Sequence, residues 1–414
     1  MTRSWVLLVA GVCAAQVLTM LGFSAFAALL PWYRETWQMT NTEAGWIGAG
    51  FFAGYVLAVP LLVSLTDRVD PRLIYAVSAL LTAAANLAFA WAADGVVSAT
   101  LLRALAGAGL AGTYMPGLKG LCDHIAPHRH SRVTAVYTSS FLLGSALSYP
   151  LARATFDAIG PGAPFVVGGI AAGLAAVLVP VLLPRRRPAP SGPGTRHLLD
   201  FRPVFRNPSV MAFTLCYALH SWELFAFHAW VVAFLVFAEG LHGSVPVAFS
   251  PTVVAAVLTV LGMPAMIVAN EFAIRFGRAR TVSVIMGLSA LVAVAMGATP
   301  MVSYGFAAIA CIVYGFTTIA ESAVVTAGAF GSADPDARGA ALAVHSTLGF
   351  AGASIGPLAF GIMLDLGGGD GILAWIVAFG HLGLVMALGP VVVAVLKPRP
   401  LSGDRVGKLR GEAR

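Results

Sequence analysis

Pro184-Arg185-Arg186-Arg187-Pro188-Ala189-Pro190-Ser191-Gly192-Pro193-Gly194 divides this chain. Four prolines within eleven residues deny it a continuous helix, and three consecutive arginines keep it in water. Long apolar segments lie on both sides of it. The expected spans are residues 5 to 30, 43 to 66, 73 to 93, 96 to 118, 132 to 157 and 163 to 183 before the break. After it come 208 to 238, 250 to 273, 281 to 298, 301 to 331, 339 to 364 and 372 to 396. A membrane-spanning helix needs about 20 apolar residues, and these segments supply that length twelve times. The first resembles a signal peptide, with Arg3 before it and small residues near Ala25 and Ala27, but it is far longer than the usual apolar core of one and reads as a span.

Composition agrees. The 414 residues are 58% hydrophobic and 10% charged, with a mean hydropathy of +0.85, too little polar surface for a protein of this length in water. Twelve spans and their loops use nearly the whole chain, which leaves no room for a separate soluble domain. Of the 25 Lys and Arg residues, 22 fall in alternate polar stretches, and the exceptions are Arg34, Arg103 and Arg153. Such loops stay on the cytoplasmic side, so both termini are expected inside. The pI near 9.5 follows from topology rather than from nucleic-acid binding, for which no basic stripe or motif is present. Arg far outnumbers Lys, as in proteins of GC-rich bacterial genomes, and the expected location is a bacterial inner membrane.

The expected fold class is therefore an all-α membrane protein of twelve transmembrane helices in two six-helix halves. Its domains are 1–184, a linker at 185–207, 208–397 and a basic tail at 398–414. The halves repeat at an offset of 208 residues, which pairs Gly54 with Gly262, Gly107 with Gly315, Gly144 with Gly352 and Tyr137 with His345. Six spans per half make the repeat parallel, a pseudo-two-fold about the membrane normal.

Three motifs resemble those of the major facilitator superfamily, and the resemblance runs over nearly the whole chain. The loop after the second span has Asp67, Arg68 and Arg72, and its second-half counterpart has Arg275, Gly277, Arg278 and Arg280 with Ile274 in place of the acid. The fourth span carries Arg103, Gly107, Gly109, Ala111 and Pro116. The eleventh carries Gly352, Ser354, Gly356 and Pro357, similar to a glycine-proline motif that the family usually shows in its fifth. The resemblance implies transport by alternating access, with Asp67, Arg68, Arg72, Arg275 and Arg278 as gating residues. It also implies that the first, fourth, seventh and tenth spans line a central cavity, which would hold Arg103, Glu223 and Glu321. Apart from any family, glycines let helix backbones approach where lipid supplies no hydrophobic drive.

Ionisable groups within spans cost about 2.5 to 3.5 kcal/mol each on insertion scales, which makes them functional candidates. The substrate and proton-coupling candidates are Arg103, Glu223, Glu321, His220, Tyr137, His345, Tyr314 and Gln16. His220 lies three residues before Glu223 on one helix face, where it can relay a proton to it. Glu321 shares a face with Tyr314, Thr317 and Thr318. An ion pair of Arg103 with Glu321 or Glu223 is the structural alternative. His228 is a weaker candidate.

The expected function is a secondary transporter that moves a small solute, such as an organic or inorganic anion, with protons or another coupling ion. A proton-driven drug or metabolite exporter is the alternative, and a non-transporting sensor a remote one. Neither enzyme nor cofactor is expected. No phosphate-binding glycine loop is present, the four cysteines lack ligand spacing, and the histidines of 123–130 read as solvated. The expected partners are a small-molecule substrate and the lipid bilayer, and the expected state is a monomer.

Overall fold

The computed structural model describes residues 2–66, 68–126, 129–185, 201–334, 337–401 and 404. The chain forms two compact units, residues 1–39 with 46–193, and residues 40–45 with 194–414. All described secondary structure is helical. The first unit contains α1 (Thr2–Met20), α2 (Ala25–Ala28), α3 (Leu30–Thr36), most of α4 (Asn41–Leu65), α5 (Pro71–Ala92), α6 (Val96–Cys122), α7 (His130–Ile159) and α8 (Ala163–Leu182). The second contains α9 (Arg202–Arg206), α10 (Pro208–His242), α11 (Pro251–Phe276), α12 (Arg278–Met296), α13 (Tyr304–Ala320), α14 (Ser322–Ser332), α15 (Arg338–Leu366) and α16 (Ile372–Leu396).

Among the described residues ten helical stretches are long and apolar enough to cross a membrane, with α13 and α14 counted together as one. The two expected spans that fall outside this set are the first and the fifth. The first expected span, 5 to 30, is not one helix: its apolar helix runs only from Trp5 to Met20, and the chain turns before α2. The fifth, α7, has length enough at 30 residues but carries Ser139, Ser140, Ser145 and Ser148 inside it. The tenth, expected at 301 to 331, is likewise divided, since Glu321 separates α13 from α14.

The helix starts follow local chemistry. Asn207 caps α10, its Oδ1 accepting from the amides of Ser209 (3.0 Å) and Val210 (3.2 Å), with Pro208 next. Its Nδ2 donates to the Ser332 carbonyl at 2.9 Å. The end of the expected linker is thus part of the folded second unit, through α9 and its buried Val204; residues 186–200 lie outside the described residues. Residues 40–45 group with the second unit because the Asp365 carboxylate accepts from Asn41 N (3.1 Å), Asn41 Nδ2 (2.9 Å), Thr42 N (2.8 Å) and Thr42 Oγ1 (2.6 Å).

Glycine sets the closest helix approaches. In the first unit, a Cβ on Gly54 would collide with the Ala104 carbonyl and one on Gly107 with the Phe51 carbonyl, so α4 and α6 meet backbone to backbone. In the second unit, Gly262 faces Ile319 and Gly315 faces Leu258, closing α11 on α13. Gly144 brings α7 onto Val17 and Met20 of α1, and Gly352 brings α15 onto Ala218 of α10. Small residues do this because van der Waals contact, not water exclusion, holds helices together in lipid. Gly54→Val is therefore expected to lower thermal stability in detergent by about 1 to 3 kcal/mol, the usual cost of overpacking. Gly380→Ala, where a Cβ meets nothing within 4 Å, is expected to leave it unchanged; a thermal-unfolding series of the two variants checks this.

Candidate functional site

In the first unit the site is built on the turn between α1 and α2. Breaking a helix frees carbonyls and amides that lipid cannot satisfy. Two serines of α7 take part of that load. Ser148 Oγ donates to the Leu21 carbonyl (2.7 Å) and accepts from the Ser24 amide (3.0 Å), and Ser24 Oγ donates to the Ser145 carbonyl (3.2 Å). Arg103 of α6 takes the rest, its guanidinium donating to the carbonyls of Phe23 (2.9 Å) and Gly22 (3.5 Å). The guanidinium also lies 4.5 Å from the centre of the Phe51 ring, a cation–π contact. Arg103 is 6% exposed. Within this unit no described carboxylate reaches it, and main-chain dipoles with an aromatic face meet its charge.

Arg103 borders a cavity of about one water molecule with Thr19, Thr82, Asn86 and Thr113, and its Nε has no hydrogen-bond partner. Nearby, Tyr137 OH donates to Gln16 Oε1 at 2.8 Å and lies 3.2 Å from the Thr113 carbonyl, and its ring stacks on Tyr114. Gln16 and Tyr137, read separately from the sequence, form one buried pair. The Gln16 Nε2 remains without a partner.

In the second unit two carboxyls are wholly buried. Glu223 of α10 accepts from Tyr314 OH and Ser289 Oγ, each at 2.8 Å on Oε1, and Ser289 Oγ lies 3.3 Å from Thr317 Oγ1. Glu321 sits at the interruption between α13 and α14, its Oε1 3.1 Å from His220 Nδ1. The relay expected from His220 to Glu223 is thus redirected. Both residues are on α10, yet Glu223 turns to α12 and α13 while His220 turns to the break at Glu321. Glu223 Oε2, Glu321 Oε2 and His220 Nε2 have no hydrogen-bond partner among the described residues. No described Lys or Arg forms an ion pair with either acid.

A row of rings continues from His220. Tyr217 stacks on it, and His345 stacks on Tyr217 at 4.1 Å and 11°. His345 Nδ1 is 3.4 Å from Thr214 Oγ1, and its Nε2 is 3.3 Å from Thr326 Oγ1. His228 contacts the Leu224 carbonyl and Thr259. The sequence reading passed over Ser289, Tyr217, Asn86, Ser145 and Asp365. Asn86 and Asp365 carry the signal that marked the others, a polar group inside an apolar run.

The gating candidates divide. Asp67 lies outside the described residues, and Arg68 and Arg275 are exposed. Arg72 is ion-paired with Asp70 at 2.7 Å, without the alignment of a hydrogen bond, and reaches the Leu183 carbonyl. Lys119 binds the Thr66 carbonyl at 2.9 Å, closing this loop against α6. Arg278 contacts Asn270 and Asp404. In the loop at 123–130, His124 and His130 turn to the carbonyls of Gly120 and Ile125, and among the described residues no three potential ligands gather; His128 lies outside them.

The family model of the Major Facilitator Superfamily matches residues 12–357. The chain belongs to this superfamily. Among curated relatives it is similar to the quinolone resistance protein NorA of Staphylococcus aureus, with 27% identity over 132 residues for strain Mu50, 31% of this chain and 34% of NorA. For strain MRSA252 the figures are 23% over 217 residues, 50% of this chain and 54% of that relative. The chain thus spans about a third to a half of the length of the relatives it matches. Among solved structures it shares its fold with the nucleoside transporter NupG (D323A mutant), at TM-score 0.76 and 14% identity over 94% of this chain and 99% of that one. A bacterial homolog of the human lysosomal transporter Spinster gives TM-score 0.73 and 14% identity over 96% of each chain.

A hydrogen bond to a charged group contributes about 1.5 to 3 kcal/mol, and a buried acceptor stripped of its donor costs about as much. Arg103→Leu is accordingly expected to lower the thermal stability of this superfamily member by about that amount. Arg103→Lys, which keeps one ammonium for two carbonyls, is expected to fall between it and the wild type. Unfolding midpoints of the three proteins in one detergent decide it.

Proposed function

We propose that the chain is a proton-coupled secondary transporter of twelve spans, in which two six-helix halves, 1–184 and 208–397, alternate access to a small solute. The interrupted first span and the serine-bearing fifth, α7, supply the two spans beyond the ten that are long and apolar enough by themselves. The matching work of Gly54 and Gly262, Gly107 and Gly315, and Gly144 and Gly352 supports the parallel repeat. The arrangement of basic loops supports both termini on the cytoplasmic side of a bacterial inner membrane, with the monomer as the working unit.

One observation carries the coupling. Glu223 and Glu321 are both 0% exposed and are met by hydroxyls and one imidazole. An unpaired charge out of water is costly, and a bound proton or an organic cation removes that cost. Proton uptake and cation binding then compete for the same carboxyls, which is the condition for exchange of one for the other. The ring row of Tyr217, His220 and His345 favours a flat, lipophilic cation. The likeness to NorA points the same way. The preferred reading is export of lipophilic organic cations in exchange for protons.

Uptake of a small anion is the second reading, favoured by the buried Arg103 with its unpartnered Nε beside a polar cavity. Purified protein in liposomes with an imposed pH gradient separates the two. On the preferred reading, Glu223→Gln and Glu321→Gln abolish gradient-driven movement of a flat lipophilic cation such as ethidium, and both weaken exchange of labelled for unlabelled cation without a gradient, because the same carboxyls hold the cation. Anion uptake that is lost in Arg103→Leu and retained in both glutamine variants establishes the second reading instead.

A further inference from the structure

The loop between α11 and α12 carries Arg275, Arg278 and Arg280 and has no acid of its own. Ile274 precedes Arg275 where Asp67 precedes Arg68 in the first-half loop. The acid arrives from the other end of the unit. α16 ends at Lys397, whose left-handed backbone (φ 45°) turns the chain back over the bundle. The Arg399 amide donates to Ser209 Oγ at 3.0 Å, at the start of α10. The Leu401 side chain then fills the space that a Cβ on Gly331 of α14 would need. The Asp404 amide bonds back to the Leu401 carbonyl at 3.0 Å. The Asp404 carboxylate lies 3.3 Å from Arg278 Nε, with the Asp404 side chain 1% and that of Arg278 11% exposed.

Arg399, Leu401 and Asp404 thus meet three elements in turn: α10, α14 and α12. Asn270 Oδ1 accepts from Arg278 NH1 at 3.1 Å and holds the guanidinium on its other side. Neither oxygen of Asp404 has a hydrogen-bond partner among the described residues, and the Arg278 guanidinium is the described cation that pairs with it. Surface ion pairs contribute little, but a pair this screened from water is different: removing one member leaves the other buried and unbalanced.

We infer that Asp404 is the missing acid of the second-half loop, supplied from the tail, and that residues 397–401 with Asp404 form a strap that positions Arg278. Within the expected basic tail at 398–414, Leu401 packs on Gly331 and Asp404 contributes an acid. The gating role of the strap rests on the transporter reading above, whereas its docking does not.

Two measurements on the full-length protein test this. The first is amide hydrogen exchange over residues 398–404 and 277–280 in Asp404→Arg, Arg278→Asp and the doubly reversed protein. Each single reversal is expected to speed exchange in both segments by about tenfold or more, and the double reversal to restore most of the protection. Unchanged exchange in the single variants, or a double variant no better protected than the sum of the singles, overturns the docking. The second is solute flux in liposomes for Asp404→Asn, expected to change maximal rate with little change in half-saturation, as a positioning residue requires. Released exchange with unaltered flux overturns the gating role and leaves the strap structural. If the wild-type protein moves no tested solute, the proposed function fails and the exchange experiment still decides the strap.

Discussion

Away from water, every main-chain polar group must find its partner inside the protein. An unbroken helix meets this demand alone, and most of the chain obeys it by being unbroken helix. The interruptions after Met20 and at Glu321 do not, and the polar side chains of the interior gather around them. At the first, Ser148 and Arg103 serve the backbone of residues 21–24, and the Ser145 carbonyl accepts from the Ser24 hydroxyl. At the second, Glu321 stands at the junction itself and meets His220. Arg103, Glu321 and His220 are thus tied to the places where the helices stop, whereas Glu223 is held between unbroken stretches by Ser289 and Tyr314.

This changes the reading of the two kinds of charge. Arg103 has its positive charge spread over two carbonyl dipoles and the Phe51 face, so its first task is to hold a broken helix in shape. Glu223 and Glu321 have no equivalent compensation, only hydroxyls and an imidazole. A group whose charge is already balanced has little reason to exchange a proton, and one whose charge is not balanced has a strong one. The coupling proposed above rests on that asymmetry, with the acids in the second unit and a polar turn in the first. Membership of the superfamily constrains the architecture and leaves this division of labour to the individual side chains.

Much of the architecture was legible in the residues. Apolar runs of spanning length have a physical cause that acts locally. The glycines at the 208 offset were legible for a related reason, since close helix contact tolerates almost nothing else. The breaks were not. Residues 21–24 are Leu, Gly, Phe and Ser, and nothing in them forbids helix as a proline would. The helix stops there because distant groups on α6 and α7 accept its freed backbone, an effect no local window contains.

The same line separates the candidate sites. Burial of Arg103, Glu223 and Glu321 followed from the sequence, because a charge in an apolar run has nowhere else to go. Their partners did not follow, because pairing depends on which helices touch and at what rotation. His220 and Glu223, three residues apart on one helix, look like natural partners in sequence. Packing sent one to Glu321 and the other to Ser289 and Tyr314. Asp404 is the extreme case, an acid among the bases of the tail that only the folded second unit brings to Arg278. The sequence by itself determined which residues leave water, through hydropathy and spacing. Only the tertiary structure decided which polar groups meet there, because hydrogen bonds and ion pairs are short and directional and join residues far apart in the chain.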